Sequence, residues 1–268
     1  EEYRFPFVKV KEEMDNVPSL LNHVESHIGD EHEDEHISAF SVSSESLEEQ
    51  SWKFIPDEDI KVLDAIYKGS NPDHVLADAC DRIERGFSPG ELPAYLVTDA
   101  EISKHGLETD IIYPVLEGED IRRWRSPDPQ QKIIYADPDY DINDYPNIKE
   151  YLQQYKSDLN DRTSVENWWE LREPRPGAIT DERKIITPSI AYYSNFTSLN
   201  NEGFPVNTIY YAVPKNEDDY YFLLGFANSV LMQFYMRMEG TPYRGSYLMY
   251  YGNDWGAILR LLWHLRHG

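Results

Sequence analysis

The sequence predicts an α+β fold, a mixed twisted β-sheet with flanking helices, preceded by an acidic N-terminal appendage. Three observations carry this expectation. Runs rich in β-branched and aromatic residues mix with amphipathic segments in no regular alternation, which disfavours a doubly wound sheet. Hydrophobic residues make up 40% of the 268, enough to bury a core. The charge is unevenly spread: of a net −24, residues 1–60 hold −13, residues 61–180 hold −10 and residues 181–268 only −1.

Taken in order, residues 18–28 predict a short amphipathic helix with Leu20, Leu21, Val24 and Ile28 on one side. The following GDEHEDEH and SVSSESLEEQS are acidic and serine-rich with little to bury, so residues 29–51 read as a linker, or as an insertion partly ordered by its neighbours. Residues 1–51 are then an appendage and residues 52–268 the main domain. Pro56 and Asp57 open a helix that runs to Tyr67 and stops at Gly69. Residues 76–83 fit strand and helix equally. Gly86, Pro89 and Gly90 form a turn, and residues 95–98, 113–116 and 133–136 are strand candidates. Pro146 suits the first position of a helix through Leu159, with Ile148, Tyr151, Leu152, Tyr155 and Leu159 on its apolar face. Residues 184–188 and 208–213 are strands by β-branched and aromatic content. Phe222, Phe226, Val230, Phe234 and Met238 recur every four residues and predict a single helix over 222–238.

Composition narrows the function. The lone cysteine, Cys80, excludes an internal disulfide and fits a reducing cytoplasm; its apolar setting predicts a buried thiol. No secretory leader is visible, and the chain is expected to be cytoplasmic. Residues 222–238 are interrupted by Asn228, Ser229, Gln233 and Arg237, too polar for a membrane span. A pI near 4.6 is opposite to the usual footprint of a nucleic-acid binder. The near-neutral C-terminal third softens this conflict. A cytoplasmic protein of a salt-loving organism carries such an acidic excess, because molar salt screens self-repulsion.

Three segments nevertheless have the chemistry of DNA reading. YPVLEGEDIRRW at 113–124 ends an apolar run in an acidic turn and delivers Arg122, Arg123 and Arg125 beside Trp124, cations suited to phosphate. The same arginines would also fit a solvated turn, paired with Glu117, Glu119 and Asp120. KIITPSI at 184–190 opens into Tyr192, Tyr193, Ser194 and Asn195. Asn can bond adenine in bidentate fashion and Tyr can stack or donate, although Ser and Asn also serve plain β-turns. TPYRGSYLMY at 241–250 sets Tyr243, Arg244 and Tyr247 around Gly245, either a groove-entering loop or a helix-ending loop packed by its tyrosines. Trp168 and Trp169 read better as a core edge than as a stacking platform.

Those blocks, with LADACDRIERGFSPGELPAYLVTD (76–99), DYPNIKEYLQQYKSDLNDR (144–162), GFPVNTIYYAVP (203–214) and YYFLLGFANSVLMQFYMRM (220–238), occur in an order that resembles the TaqI-like C-terminal specificity domain of restriction-modification enzymes and phage-defence adenine methyltransferases. The resemblance spans roughly residues 52–251. It implies a target-recognition fold that reads a double-stranded DNA sequence for a methyltransferase or nuclease portion of the same parent polypeptide. It also implies that target preference is set in part by the loop after KIITPSI. The chain carries no GxGxxG, Walker loop or GxSxG, and Asn71-Pro72-Asp73-His74 departs from the Asn-Pro-Pro-aromatic tetrapeptide of adenine methyltransferases at its third and fourth positions. The chain is thus expected to be non-catalytic by itself and to hold no cofactor, S-adenosylmethionine belonging to the rest of the parent enzyme. DWGAILRLLWHLRHG at 254–268 departs from the Pro-rich strand that normally closes such domains.

Two readings from other classes compete. Asp137, Asp139, Asp141 and Asp144 with abundant aromatics fit a carbohydrate-active enzyme, and the acidic N-terminal segment fits a protein-interaction module. His23, His27, His32 and His36 suit a divalent metal at i, i+4 spacing if helical, but no cysteine assists and acidic linkers hold histidines by chance; no metal site is assigned.

Overall fold

The computed structural model describes residues 3–12, 14–44, 54–68, 76–180, 182–200 and 203–251. They fall into two compact units, one within Glu1–Asp73 and one within His74–Leu259.

Within residues 29–51 of the first unit, expected to be a linker or an insertion partly ordered by its neighbours, the described part supplies two strands of a three-stranded sheet. Strand β1 (Arg4–Val10) is followed by helix α1 (Val17–Ser26), a short β2 (His32–Glu33), β3 (Ile37–Ser43) and helix α2 (Asp57–Lys68). β3 pairs antiparallel with β1 along seven residues and with β2 on its other side, so it is the middle strand. Ile37, Ala39, Phe40 and Val42 are buried. The acidic residues mask a good strand because they cluster before Ile37, while ISAFSV itself carries no charge. Both predicted helices form. Asn16 caps α1 by accepting from the Ser19 N–H at 2.9 Å, and three acidic residues open α2. The expected stop of α2 at Gly69 and the start of the main domain at Trp52 lie outside the described residues.

The second unit runs β4 (Cys80–Arg85), a four-residue helix α3 (Leu92–Tyr95), β5 (Leu96–Val97), α4 (Asp99–His105), β6 (Ile112–Leu116), β7 (Gln131–Ile134), α5 (Pro146–Gln153), α6 (Lys156–Asn160), β8 (Lys184–Pro188), β9 (Ile190–Ala191), β10 (Thr197–Leu199), β11 (Phe204–Pro205), β12 (Ile209–Pro214), α7 (Glu217–Ala227), α8 (Val230–Glu239), β13 (Thr241–Pro242) and β14 (Leu248–Met249). The fold is α+β with several small sheets. One has the order β10-β8-β12-β4 and is antiparallel throughout. A second, β11-β6-β7-β5, is mixed, since β11 runs parallel to β6. A third, β13-β14-β9, is small and antiparallel.

The core lies between the first two sheets and α5–α6, with Phe87, Tyr95, Ile133, Tyr135, Ile148, Leu152 and Tyr211 nearly inaccessible. Buried tyrosines need partners. Tyr95 donates to the Glu170 carbonyl at 2.9 Å and Tyr135 to the Pro174 carbonyl at 2.5 Å. Gly86 sits where a Cβ would collide with the Pro205 and Val206 carbonyls, so only glycine lets these backbones approach. Cys80 is buried as expected, and desolvation pushes its thiol up to about 12.

Several element assignments change. Residues 76–83 resolve into a 3-10 turn (Leu76–Ala79) and a strand. The helix expected over 146–159 is two helices, because Gln154 and Tyr155 break it. The single helix over 222–238 is also two, α7 and α8. Asn228 leaves the helical path and Ser229 starts a new helix by accepting from the Met232 N–H at 3.1 Å. The every-four apolar rhythm runs through this break, so Val230 is 86% exposed instead of continuing the buried face. Helix α4 went unpredicted although Thr98 and Glu101 form a reciprocal capping box at its start. Trp169 is buried and belongs to the core.

Candidate functional site

Three loops of the second unit meet, and they are the three that the sequence singles out. The first descends from β6. Its apolar run ends at Glu117, where a 3-10 turn (Gly118–Asp120) is capped from both sides: Asp120 accepts from the Glu117 N–H at 2.8 Å, and Glu117 returns the contact. The acidic residues of this turn therefore stabilise the turn itself. Ile121, fully buried, anchors the chain, and residues 122–125 fold back through an Arg125 N–H to Arg122 carbonyl bond of 3.1 Å. Trp124 at the apex has φ +63°, a left-handed conformation that an aromatic residue rarely takes, and the residue is 57% exposed.

The second loop joins β9 to β10 and contains residues 192–195. Tyr192 and Tyr193 are exposed, and Ser194 is buried. Gln233 of α8 holds the loop by accepting from the Ser194 N–H at 2.5 Å. The third loop leaves α8 through β13. Tyr243 and Tyr247 close it by a 2.7 Å bond from the Tyr243 N–H to the Tyr247 carbonyl, with Gly245 and Ser246 both at φ +63° between them. Tyr243, Arg244 and Tyr247 are all exposed.

The loops are joined to one another by specific contacts. β14 pairs with β9, placing Leu248 beside Ala191 and Met249 beside Ile190. The Tyr192 and Tyr247 rings meet edge to face at 5.8 Å. Ser194 and Tyr250 hydroxyls lie 3.4 Å apart, and burial pushes the Tyr250 phenol above its ordinary value. Between the first and second loops, Asn195 donates its amide to the Ile121 carbonyl at 2.9 Å, and Thr197 donates its hydroxyl to the Arg125 carbonyl at 2.8 Å. Behind them the buried Asn228 accepts from the Phe196 N–H at 3.0 Å and donates to the Phe196 carbonyl at 2.9 Å, a two-way clamp on the second loop.

The geometry refines the expected roles. Asn195, read as a base-contacting amide, has its donor engaged to backbone and ties two loops together. Arg122 donates to the Ile121 carbonyl at 2.8 Å and to the Glu119 carbonyl at 2.5 Å, not to a carboxylate. The alternative in which these arginines pair with Glu117, Glu119 and Asp120 is not what forms. Among the described residues, Arg122, Arg123, Arg125, Arg237 and Arg244 have no ion-pair partner, while Arg82, Arg172, Arg175 and Arg183 do; Arg85 and Arg162 also lack one but donate to backbone carbonyls within the fold. Arg123 lies 5.9 Å from the Trp124 ring centre. Arg237 was missed by sequence reading. It stands 5.9 Å from the Tyr192 ring and 5.7 Å from that of Tyr193, in the last turn of α8 just before the third loop. The place of Trp124, between arginines on both sides, was the signal that it belonged with them.

Elsewhere the acidic run at 137–144 has local duties. Asp137 accepts from the Asp139 N–H and Asp141 from the Asn143 N–H, bonds of a structural turn. They give no support to a glycosidase carboxylate pair. No helix among the described residues is long and apolar enough to cross a membrane.

A mixed α+β scaffold thus gathers exposed tyrosines and arginines without ion-pair partners on linked loops, the part of a fold where binding residues concentrate. The chain belongs to the TaqI-like C-terminal specificity domain family, whose model matches residues 113–254 and so takes in all three loops. A similar protein is the type II methyltransferase M.MjaIV of Methanocaldococcus jannaschii, 26% identical over 180 residues, which are 62% of this chain and 60% of that one. Among solved structures, the type IIL restriction-modification enzyme MmeI in complex with DNA superposes with a TM-score of 0.50 at 15% identity, over 65% of this chain and 24% of that one. The chain therefore spans three fifths of the methyltransferase and about a quarter of MmeI.

Proposed function

We propose that this chain recognises a specific double-stranded DNA sequence on behalf of a restriction-modification or phage-defence adenine methyltransferase. The observation that carries the reading is the meeting of three loops whose arginines lack carboxylate partners. An arginine that no neighbouring acid neutralises is available to phosphate, and five of them stand here beside exposed tyrosines on linked segments. Arg122, Arg123 and Arg125 hold the DNA backbone. Tyr192, Tyr193, Tyr243, Arg244 and Tyr247 reach base edges or stack, with Arg237 as support. Asn195 acts by holding the first two loops in register. Methyl transfer and its S-adenosylmethionine reside in the remainder of a parent enzyme, which is also the chain's protein partner. The acidic excess fits a cytoplasm of high salt, where counterion release adds little and hydrogen bonds, stacking and shape carry specific binding.

The test is a competition panel of duplexes with single base-pair changes around the target of the parent enzyme, run in high potassium chloride. Tyr193→Ala and Arg244→Ala should each relax preference at one or two base pairs, by roughly 1–3 kcal/mol per lost base contact. A preference profile unchanged in both variants would move base readout out of these loops.

A further inference from the structure

We propose that the first unit contains a site for a divalent transition-metal ion of the zinc class, formed by His23, His27 and His32 and supported by Asp34. One ring nitrogen from each of the three histidines lies within 4.8 Å of the other two. Tetrahedral zinc with nitrogen at about 2.0–2.1 Å needs donors somewhat closer than this, a distance that side-chain rotation can close. His23 and His27 stand one turn apart at the end of α1, which is the spacing that brings two imidazoles together. His32 comes from β2, and its ring stacks on that of His27 at 3.8 Å.

The hydrogen bonds around the cluster prepare it for a metal. His23 and His32 each place Nε2 against the same oxygen of Asp34, at 2.7 and 2.9 Å. His27 places Nδ1 against the His23 carbonyl at 2.8 Å. In every ring one nitrogen is thus tied to an oxygen, and in the neutral imidazole the opposite nitrogen would be the ligand atom. That pattern, a carboxylate or carbonyl orienting each imidazole, is the support that metal-binding histidines have. Asp34 is itself fixed by the His36 and Ile37 N–H groups, both at 2.8 Å. A fourth imidazole is at hand. The His36 ring lies 6.4 Å from that of His23, and its Nδ1 is buried with no hydrogen-bond partner. Glu25, Asp30, Glu31 and Glu35 are all exposed around the cluster and favour a cation.

His32-Glu33-Asp34-Glu35-His36 also has the letters His-Glu-x-x-His of the zinc-peptidase motif. That motif needs a helix to bring its two histidines onto one face. Here it spans β2 and the turn into β3, and Glu33 is ion-paired with Lys11 at 2.8 Å. The site is structural. α1 buries no residue completely, so packing alone holds it weakly, and a metal would pin it to the β2–β3 turn.

The experiment uses the whole chain, stripped with a chelator and titrated with Co²⁺ and then Zn²⁺. One Co²⁺ per chain should give the intense visible ligand-field bands of tetrahedral coordination, Zn²⁺ should displace it, and zinc should raise the melting temperature. His27→Gln should weaken binding at least about tenfold, and Asp34→Asn about 10–100-fold. His105→Gln, outside the cluster, should change nothing. Weak octahedral Co²⁺ binding by the native chain, or affinity unaltered in a folded His27→Gln chain, would overturn the proposal and leave only non-specific attraction to the acidic surface. The native spectrum decides the matter even if a variant fails to fold.

Discussion

Arg122 and Arg123 show how much a side chain's role depends on what its neighbours leave free. Both follow three acidic residues, yet Asp120 and Glu117 are engaged in capping their own turn. If the two arginines grip phosphate, replacing either by alanine should weaken binding to cognate and non-cognate duplexes by similar factors. The salt slope should fall by about one. Affinity measured across a salt series checks this; an effect confined to the cognate duplex would contradict it. Asn195 behaves differently. Its residue type suits adenine, and sequence alone could not tell that its donor faces the Ile121 carbonyl, 74 positions away in the chain. Asn195→Ala should lower stability by about 0.5–1.5 kcal/mol, the net worth of one hydrogen bond. It should weaken binding to all duplexes without altering base preference. Equilibrium unfolding and the same duplex panel measure both; a changed preference at a single base pair would restore Asn195 as a reader.

Among the elements, local signals were legible and long-range ones were not. Pro146, the β-branched run at 184–188 and the acidic start of α2 announce their elements, because each acts through the backbone next to it. The pairing of β11 with β6, or of β14 with β9, joins residues too far apart in sequence for any local pattern to report. Strand β3 escaped notice because charge dominates its surroundings, and α7 and α8 were fused because apolar spacing alone ignores caps. The Asn228-Ser229 pair was in plain view as a polar interruption of the apolar run. It argues against a membrane span and, because Asn and Ser are good helix caps, equally marks a helix boundary. Asn228 is the more consequential half. Its amide makes both bonds to Phe196 in a site 2% exposed. Asn228→Ala removes both bonds from a buried site and should cost about 1–3 kcal/mol, chiefly through the Phe196 N–H, since the Phe196 carbonyl also faces the Trp124 N–H at 3.5 Å. Denaturant unfolding should show a lower midpoint with unchanged slope. A midpoint at the wild-type value would mean that water replaces the amide.

Over the whole molecule, charge and function pull in opposite directions. The candidate loops lie in the second unit, and residues 1–60 hold −13 of the −24. Long-range repulsion of phosphate by that excess is strongest at low salt and fades as the Debye length shrinks from about 10 Å at 0.1 M to about 3 Å at 1 M. Removing residues 1–73 should therefore leave duplex affinity intact or raised, with the gain largest at low ionic strength. Titrations of both chains at matched salt check it, and a large loss on truncation would make the first unit part of the recognition surface.

The pairing of β9 with β14 has a further consequence. Those strands are bound through main-chain groups, which every residue but proline supplies alike. The tips they carry, Tyr192 and Tyr193 on one side and Tyr243 to Tyr247 on the other, owe their place to that pairing, to Gln233 and to Asn228 more than to their own side chains. Apart from Gly245, held at a left-handed φ of +63° that favours glycine, their identities are thereby released from the demands of folding. Such a surface can drift through successive substitutions while the frame beneath stays whole. If the loops read DNA as proposed, a change of target would need no change of fold.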